Sequence, residues 1–179
     1  MTEPDSTTCQ IVRWEILPGL PGEGPVPKHF HLGRPTPWAE GFVVRFWNSD
    51  GTAWVGNFQI GVTFYSGIVE LPAGKLLVIV ARGACYFLPL NDPETVMVES
   101  GEVISSLVSE EGSLILAHLT GEISVFDSTG TLRWRRNDLG ADELVLKSCA
   151  SGLLVADVQD WEGNWRTVRL AEMDGSNLG

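Results

Sequence analysis

The chain reads as an all-β protein, a small propeller-like array of about four antiparallel meander blades, on the strength of three observations. First, residues 112–134, GSLILAHLTGEISVFDSTGTLRW, hold three short runs rich in aliphatic and aromatic residues. Each run is too short for a helix that must bury a face, and Thr120-Gly121 and Asp127-Ser128-Thr129-Gly130 between them are turn sequences. Second, Gly74, Gly112 and Gly152 each run straight into aliphatics, and they stand 38 and 40 residues apart (112 − 74, 152 − 112). Third, Trp47-Asn48-Ser49-Asp50-Gly51-Thr52 is echoed by Phe126-Asp127-Ser128-Thr129-Gly130-Thr131, 79 residues on (130 − 51), close to two such periods. A β-sandwich is the alternative packing of the same strands.

Taken in order, residues 1–10 form a flexible tail, and residues 11–179 form one β domain. Within it, residues 11–39 are a Pro/Gly-rich lead-in and residues 40–175 the repeated meanders. Residues 11–17 alternate Trp14 and Ile16 against Arg13 and Glu15 and read as a strand. Residues 18–27, PGLPGEGPVP, cannot be a helix and make a poor strand, because the prolines remove backbone donors. For the same reason, and with no Lys-Ser/Thr following, its glycines are not a phosphate loop. Residues 42–47 and 52–58 make a hairpin. Strands over 67–71, 75–81, 84–90 and 95–99 give one four-stranded unit, and 102–109, 113–119, 122–126 and 131–135 the next. A third unit follows over 142–148, 153–159 and 165–171. The nearest approach to a helical period, residues 139–147, contains Gly140, a poor helix former.

The stretch Gly121-Glu122-Ile123-Ser124-Val125-Phe126-Asp127-Ser128-Thr129-Gly130-Thr131-Leu132-Arg133-Trp134 resembles the quinoprotein-type (PQQ-like) propeller repeat: glycine, alternating apolar residues, aspartate, a Thr-Gly turn, then tryptophan. The resemblance covers this one blade well and implies that Trp134 packs between sheets. Residues 54–61, WVGNFQIG, with Arg82-Gly83-Ala84-Cys85-Tyr86 downstream, also resemble a family of small bacterial proteins with no assigned activity. Quinone-dependent enzymes of the first family use about eight blades, and 179 residues at this period hold about four, so no cofactor is implied.

Net charge is −11, with a pI near 4.6. Such a surface repels phosphate backbones and anionic lipid, which argues against nucleic acid and membrane as partners. Met1-Thr2-Glu3-Pro4-Asp5 is acidic with no apolar run behind it, and the longest aliphatic run, residues 76–81, is far too short to span a bilayer. Three cysteines, Cys9, Cys85 and Cys149, make an odd count with no close pair. Reduced thiols in a cytoplasmic protein are expected. Seven tryptophans are expected to fill the space between sheets.

Catalytic patterns are sparse, which favours a non-enzymatic protein. There is no Gly-x-Ser-x-Gly elbow, and Cys85 and Cys149 sit in apolar strands, where packing rather than reactivity is expected. His29-Phe30-His31 sets two imidazoles on one face of an extended segment, half of a metal site. The carboxylate it would need, Glu40, lies nine residues on across Pro35 and Pro37, and His118 is the only other histidine. No metal is assigned. Arg133-Trp134-Arg135-Arg136, the one basic cluster, reads as charge balance for neighbouring strands.

From Gly83 through Leu132 there is no lysine or arginine, while Asp92, Glu94, Glu99, Glu102, Glu110, Glu111, Glu122 and Asp127 fall inside that span. The first seven are the candidate partner-binding residues, expected to share one acidic rim that meets a basic protein partner. The function this predicts is a non-enzymatic soluble protein-binding module, in its sharpest form an immunity-type inhibitor masking a basic toxin. The alternative is an enzyme or small-ligand binder working through a central channel. Exposed edges of an open array also predict a homodimer.

Overall fold

The structure, a computed structural model, describes residues 10–33, 39–99, 102–139 and 143–178. The expected tail over residues 1–9, with Cys9, and Pro35, Pro37 and Asp142 lie outside them.

Among the described residues fifteen strands form four sheets, and nearly all pairings are antiparallel. The first sheet holds β1 (Ile11–Leu17), β2 (Lys28–Phe30), β3 (Phe42–Asn48) and β4 (Ala53–Phe58) in the order β1-β3-β4-β2, with β2 parallel to β4. The second is the simple meander β5 (Gly67–Leu71), β6 (Leu76–Ala81), β7 (Ala84–Pro89) and β8 (Met97–Glu99). The third repeats it with β9 (Val103–Val108), β10 (Leu114–His118), β11 (Ile123–Phe126) and β12 (Leu132–Arg136). The fourth has three strands, β13 (Glu143–Ala150), β14 (Leu153–Gln159) and β15 (Trp165–Ala171). Each sheet is one blade of a β-propeller-like array.

The blades stack face to face through three apolar layers. Val44, Phe46, Trp54 and Phe58 of blade one meet Leu77, Ile79, Tyr86 and Leu88 of blade two. The opposite face of blade two, with Val78, Val80, Cys85 and Phe87, meets Leu114, Leu116 and Phe126 of blade three. Ile115, Ile123, Val125 and Trp134 then meet Leu144, Leu154, Ala156, Val158 and Leu170 of blade four. Blades two and three are therefore buried on both faces, which is why β6 reads LLVIVA with every residue buried. β14, packed on one side only, alternates buried and half-buried residues.

The outer face of blade one is covered differently. Val43, Val55 and Asn57 point away from blade two and are nonetheless buried. Among the described residues no sheet lies there; the described parts of the excursion between β1 and β3, the Pro/Gly-rich lead-in, are tied to it instead. Its ends are tied down by the Leu20 amide on Glu40 Oε2 (3.1 Å), the Gly41 amide on Asn57 Oδ1 (2.8 Å) and the Asn57 side-chain amide on the Ala39 carbonyl (3.0 Å). The lead-in thus contributes two strands to the first blade.

The repeat glycines occupy the turn between the first and second strand of their blades, with one offset. Gly112 and Gly152 are left-handed (φ 82° and 74°), but in blade two Lys75 takes that conformation (φ 50°). Gly74 is constrained by space instead, since a Cβ there would run into the carbonyl of Ser128 in the next blade. Trp134 is buried, with 9% of its surface exposed, and its Nε1 donates to the Glu172 carbonyl at 2.7 Å. Among the described residues Trp54 and Trp134 are buried in the inter-sheet layers and the half-buried Trp14 packs against the first of them, whereas Trp47 is half-buried and Trp161 and Trp165 are exposed; Trp38 lies outside the described residues.

Candidate functional site

From β3 onward each strand reverses direction, so successive turns fall on alternate ends of the array. One end, here called lower, carries the β6–β7, β10–β11 and β14–β15 turns, the β4–β5 connector and the start of β9. The upper end carries the β3–β4, β5–β6, β7–β8, β9–β10, β11–β12 and β13–β14 turns.

Exposed apolar side chains occur at both ends, Val26 and Met173 at the upper one, but those of the lower end gather around a groove. The connector over residues 59–66 crosses the two-residue turn Arg82-Gly83, and the Gly61 and Thr63 amides donate to the carbonyls of Ala81 and Arg82. Arg82 holds a left-handed conformation (φ 48°), its Nε donates to the Thr63 carbonyl, and its guanidinium lies 5.7 Å from the Phe64 ring centre. Thr63 Oγ1 donates to the Val103 carbonyl (2.6 Å), and the Tyr65 hydroxyl lies 2.6 Å from Ser106 Oγ. With its backbone spoken for, the connector projects Val62 and Phe64 outward, 70% and 94% exposed. Phe64 is the most exposed large apolar side chain among the described residues. These two, with Thr63, Tyr65, Ile104 and Leu119, line a groove of about 410 Å³ between blades two and three. One blade further on, the β14–β15 turn presents Trp161, 76% exposed.

Two acids are tied to the chain around Leu119. The Leu119 amide donates to the Glu102 carbonyl. Glu122 sits in the turn that carries Leu119 and pairs with Arg135 Nε at 3.1 Å; Arg135 also pairs with Glu99. Behind them the imidazole of His118 is buried, with Nε2 2.9 Å from Ser124 Oγ and 3.9 Å from Glu122 Oε1. Burial pushes its pKa below the ordinary histidine value, against the smaller opposing pull of Glu122.

The seven candidate acids do not share one rim. Glu99, Glu102 and Glu122 lie at the lower end, and Asp92, Glu94, Glu110 and Glu111 lie in turns of the upper end. Several are engaged by residues distant in sequence. Lys28 pairs with Glu94, Arg135 with Glu99 and Glu122, and Glu110 accepts from the Ser151 amide at 3.1 Å. Asp92 accepts from the Thr95 hydroxyl within its own turn. Asp127 is held below the usual carboxylate range: burial opposes this, but hydrogen bonds from the Thr129 hydroxyl and the Thr129 and Thr131 amides prevail.

Two further clusters involve residues of chemical interest. His29 and His31 stack with ring centres 6.3 Å apart, and with Glu40, Asn57 and Gln59 they line a cavity of about 240 Å³. The Asn57 side-chain amide lies 3.1 Å from His29 Nδ1. No three histidine, cysteine or carboxylate side chains among the described residues stand in metal-binding geometry. At the upper end Glu172 is buried between blades three and four. It accepts from Ser109 Oγ (2.7 Å) and Cys149 Sγ (3.4 Å), with Arg133 3.9 Å away. Burial would raise its pKa, but the hydroxyls of Ser113 and Ser109 hold it below the usual carboxylate value. Burial and the Glu172 charge push the Cys149 thiol up to about 12, and burial raises Cys85 as well, so both behave as packing residues. The Glu172 cluster pins two blades together.

Sequence reasoning missed Phe64, Val62, Leu119 and Trp161. Their one signal was position: apolar residues standing in connectors and turns, in a chain whose other turns are built from Asp, Ser, Thr and Gly.

Four stacked sheets, the last three of them meanders, define a β-propeller-like protein. Among solved structures the chain is similar to BamB from Moraxella catarrhalis, with a TM-score of 0.52 and 15% sequence identity. The match covers 96% of this chain and 51% of that one, so the chain spans about half the length of BamB. At that identity the likeness is one of fold alone. No protein-family model and no curated protein matches.

Proposed function

We propose that this is a non-enzymatic protein-binding module whose lower end receives a basic partner, with an apolar side chain of that partner seated in the Phe64–Leu119 groove. The observation that carries the reading is Phe64, 94% exposed over an apolar groove whose Leu119 is backbone-bonded to Glu102 and shares a turn with Glu122. Exposed apolar surface rimmed by charge is characteristic of recognition sites. The net charge of −11 favours a positively charged partner and raises its association rate. An immunity-type inhibitor of a basic toxin in the cytoplasm is the sharpest form of this proposal. Descent from a quinoprotein-type repeat belongs to it too, supported by the burial of Trp134 between blades.

The test is a photo-crosslinking phenylalanine analogue placed at Phe64 and, separately, at Thr129 of the upper end, each exposed to native lysate. Crosslinking of one basic protein from position 64 and not from 129 is the expected result. Glu102→Lys with Glu122→Lys should slow association at low salt, and Glu110→Lys with Glu111→Lys should leave it unchanged. The opposite pattern would place the interface at the upper end.

A further inference from the structure

Blades two and three each close with a fourth strand, β8 and β12, but among the described residues β15 is the last strand of blade four. The edge of β15 is covered over half its length only. After the turn at Glu172–Gly175 the chain folds back, and the Ala171 amide donates to the Ser176 carbonyl and the Leu178 amide to the Arg169 carbonyl. These bonds fix which backbone groups face outward. In an antiparallel ladder the amide and carbonyl of a residue point to the same side, alternating along the strand. Arg169 and Ala171 face the edge, so Thr167 and Trp165 do as well, while Arg166, Val168 and Leu170 face β14. The tail covers Arg169 to Ala171 and leaves the amides and carbonyls of Trp165 and Thr167 open.

In blade two the corresponding stretch of β7, Cys85 to Phe87, is where the three-residue strand β8 pairs. A strand of three residues therefore fills this position within the same fold. One cation stands on the open stretch itself: Arg166 is exposed and donates from Nη2 to the Leu139 carbonyl (2.6 Å), Asp160 and Glu162 lie in the turn before it, and the exposed Trp161 and Trp165 flank it. A second copy of this chain fits poorly. The two-fold axis that keeps clear of the tail sets Arg166 opposite its own copy, and like charges in directly opposed positions repel.

We propose that β15 accepts an extended acidic segment of a partner protein, added antiparallel along Trp165–Thr167 as the fourth strand of blade four. Backbone bonds to Trp165 and Thr167 supply the pairing. A carboxylate opposite Arg166 and an apolar residue against Trp165 supply the preference. This rests on the ladder of blade four and is independent of the groove at Phe64.

Two synthetic peptides, acetyl-Glu-Val-Glu-Val-Glu-Val-amide and its lysine counterpart, distinguish the outcomes when titrated into the full chain labelled with ¹⁵N. The acidic peptide should shift the amides of Trp165 and Thr167 and bind at least about tenfold more tightly than the lysine peptide, the scale of one cross-strand charge contrast. Thr167→Pro, which removes an outward amide, should abolish the shifts, and Thr167→Ala, which loses the same hydroxyl bond to Asp157, should retain them. Should the proline variant fail to fold, Arg166→Glu replaces it and should reverse the preference between the peptides. Equal binding of the two peptides, shifts confined to residues 169–178, or shifts that survive Thr167→Pro would each overturn the proposal.

Discussion

Trp134 is the side chain on which the packing of blades three and four is most directly tested. Trp134→Ala removes an indole that is 9% exposed and that lies against Leu144, Val158 and their neighbours. A buried tryptophan removes about 150–250 Å² from water, which at about 25 cal/mol per Å² amounts to about 4–6 kcal/mol as an upper bound. Truncation of large buried aromatics costs about 3–5 kcal/mol, and that is the expected loss. Trp134→Phe keeps most of the apolar contact and strands the Glu172 carbonyl that Nε1 now satisfies, at about 1–3 kcal/mol. Urea unfolding followed by far-UV circular dichroism measures both, with an unchanged m-value as the sign that the denatured state is unaffected. Gly175 supplies a cross-check, because a Cβ there would lie 2.9 Å from the indole. Gly175→Ala should therefore cost less in the Trp134→Ala background than in the wild type, the residue being the strain of its left-handed backbone (φ 70°). A loss below about 1 kcal/mol for Trp134→Ala, on a scale where 3 is expected, would refute the inter-blade packing.

Other outcomes follow from the same geometry. Gly74→Ala should destabilise by at least about 2 kcal/mol, since the carbonyl it meets belongs to backbone that cannot swing away, whereas Gly67→Ala, with open space around it, should be nearly neutral in urea titrations. His118 is held neutral by burial, so acidification below its ordinary pKa of 6.5 protonates the unfolded chain first. Stability that is full above pH 6.5 should fall as pH drops from there towards the lowered native pKa, and His118→Gln should flatten that part of the profile; Glu122, Glu99, Glu102 and Arg135 are the charged groups facing the ring. Glu172→Gln should weaken the join between blades three and four by about 1–3 kcal/mol, the usual cost of disturbing a buried charge-assisted network, and thermal melts of the variant would show it.

The interior of the fold was legible because burial on both faces writes itself into the sequence. LLVIVA in β6 and LILAH in β10 have no polar alternation, and their turns are marked by Asp, Ser and Gly. The end blades were harder to read. β2 hides in a Pro/Gly-rich lead-in because a three-residue strand has no period to detect, and its parallel pairing with β4 is set by tertiary contacts. The acids between Gly83 and Leu132 were legible as a charge imbalance and misleading as a surface. Glu99 and Glu110 lie one strand apart in sequence and so at opposite ends of the array, and their counter-charges or donors come from Arg135 and the Ser151 amide. Phe64 left only its place in a connector as a sign, and a single apolar residue there looks the same whether it is tucked in or held out. Only the bonds that fix Thr63 and Arg82 decide between the two.

Among the described residues each apolar layer joins a blade to the next in line, and this has a consequence for how the molecule comes apart. Each blade's free energy is its own plus that of one or two shared layers, so the array behaves as a short one-dimensional chain of coupled units. Blades two and three each hold two neighbours, whereas blade four holds one and has a half-clad edge. Partial opening should therefore begin at blade four and propagate inward as a fraying front. Amide exchange would register it as a gradient, fastest in β15 and slowest in β6 and β10. Any ligand that clasps β15 would act on that front, lengthening the cooperative unit without touching the core.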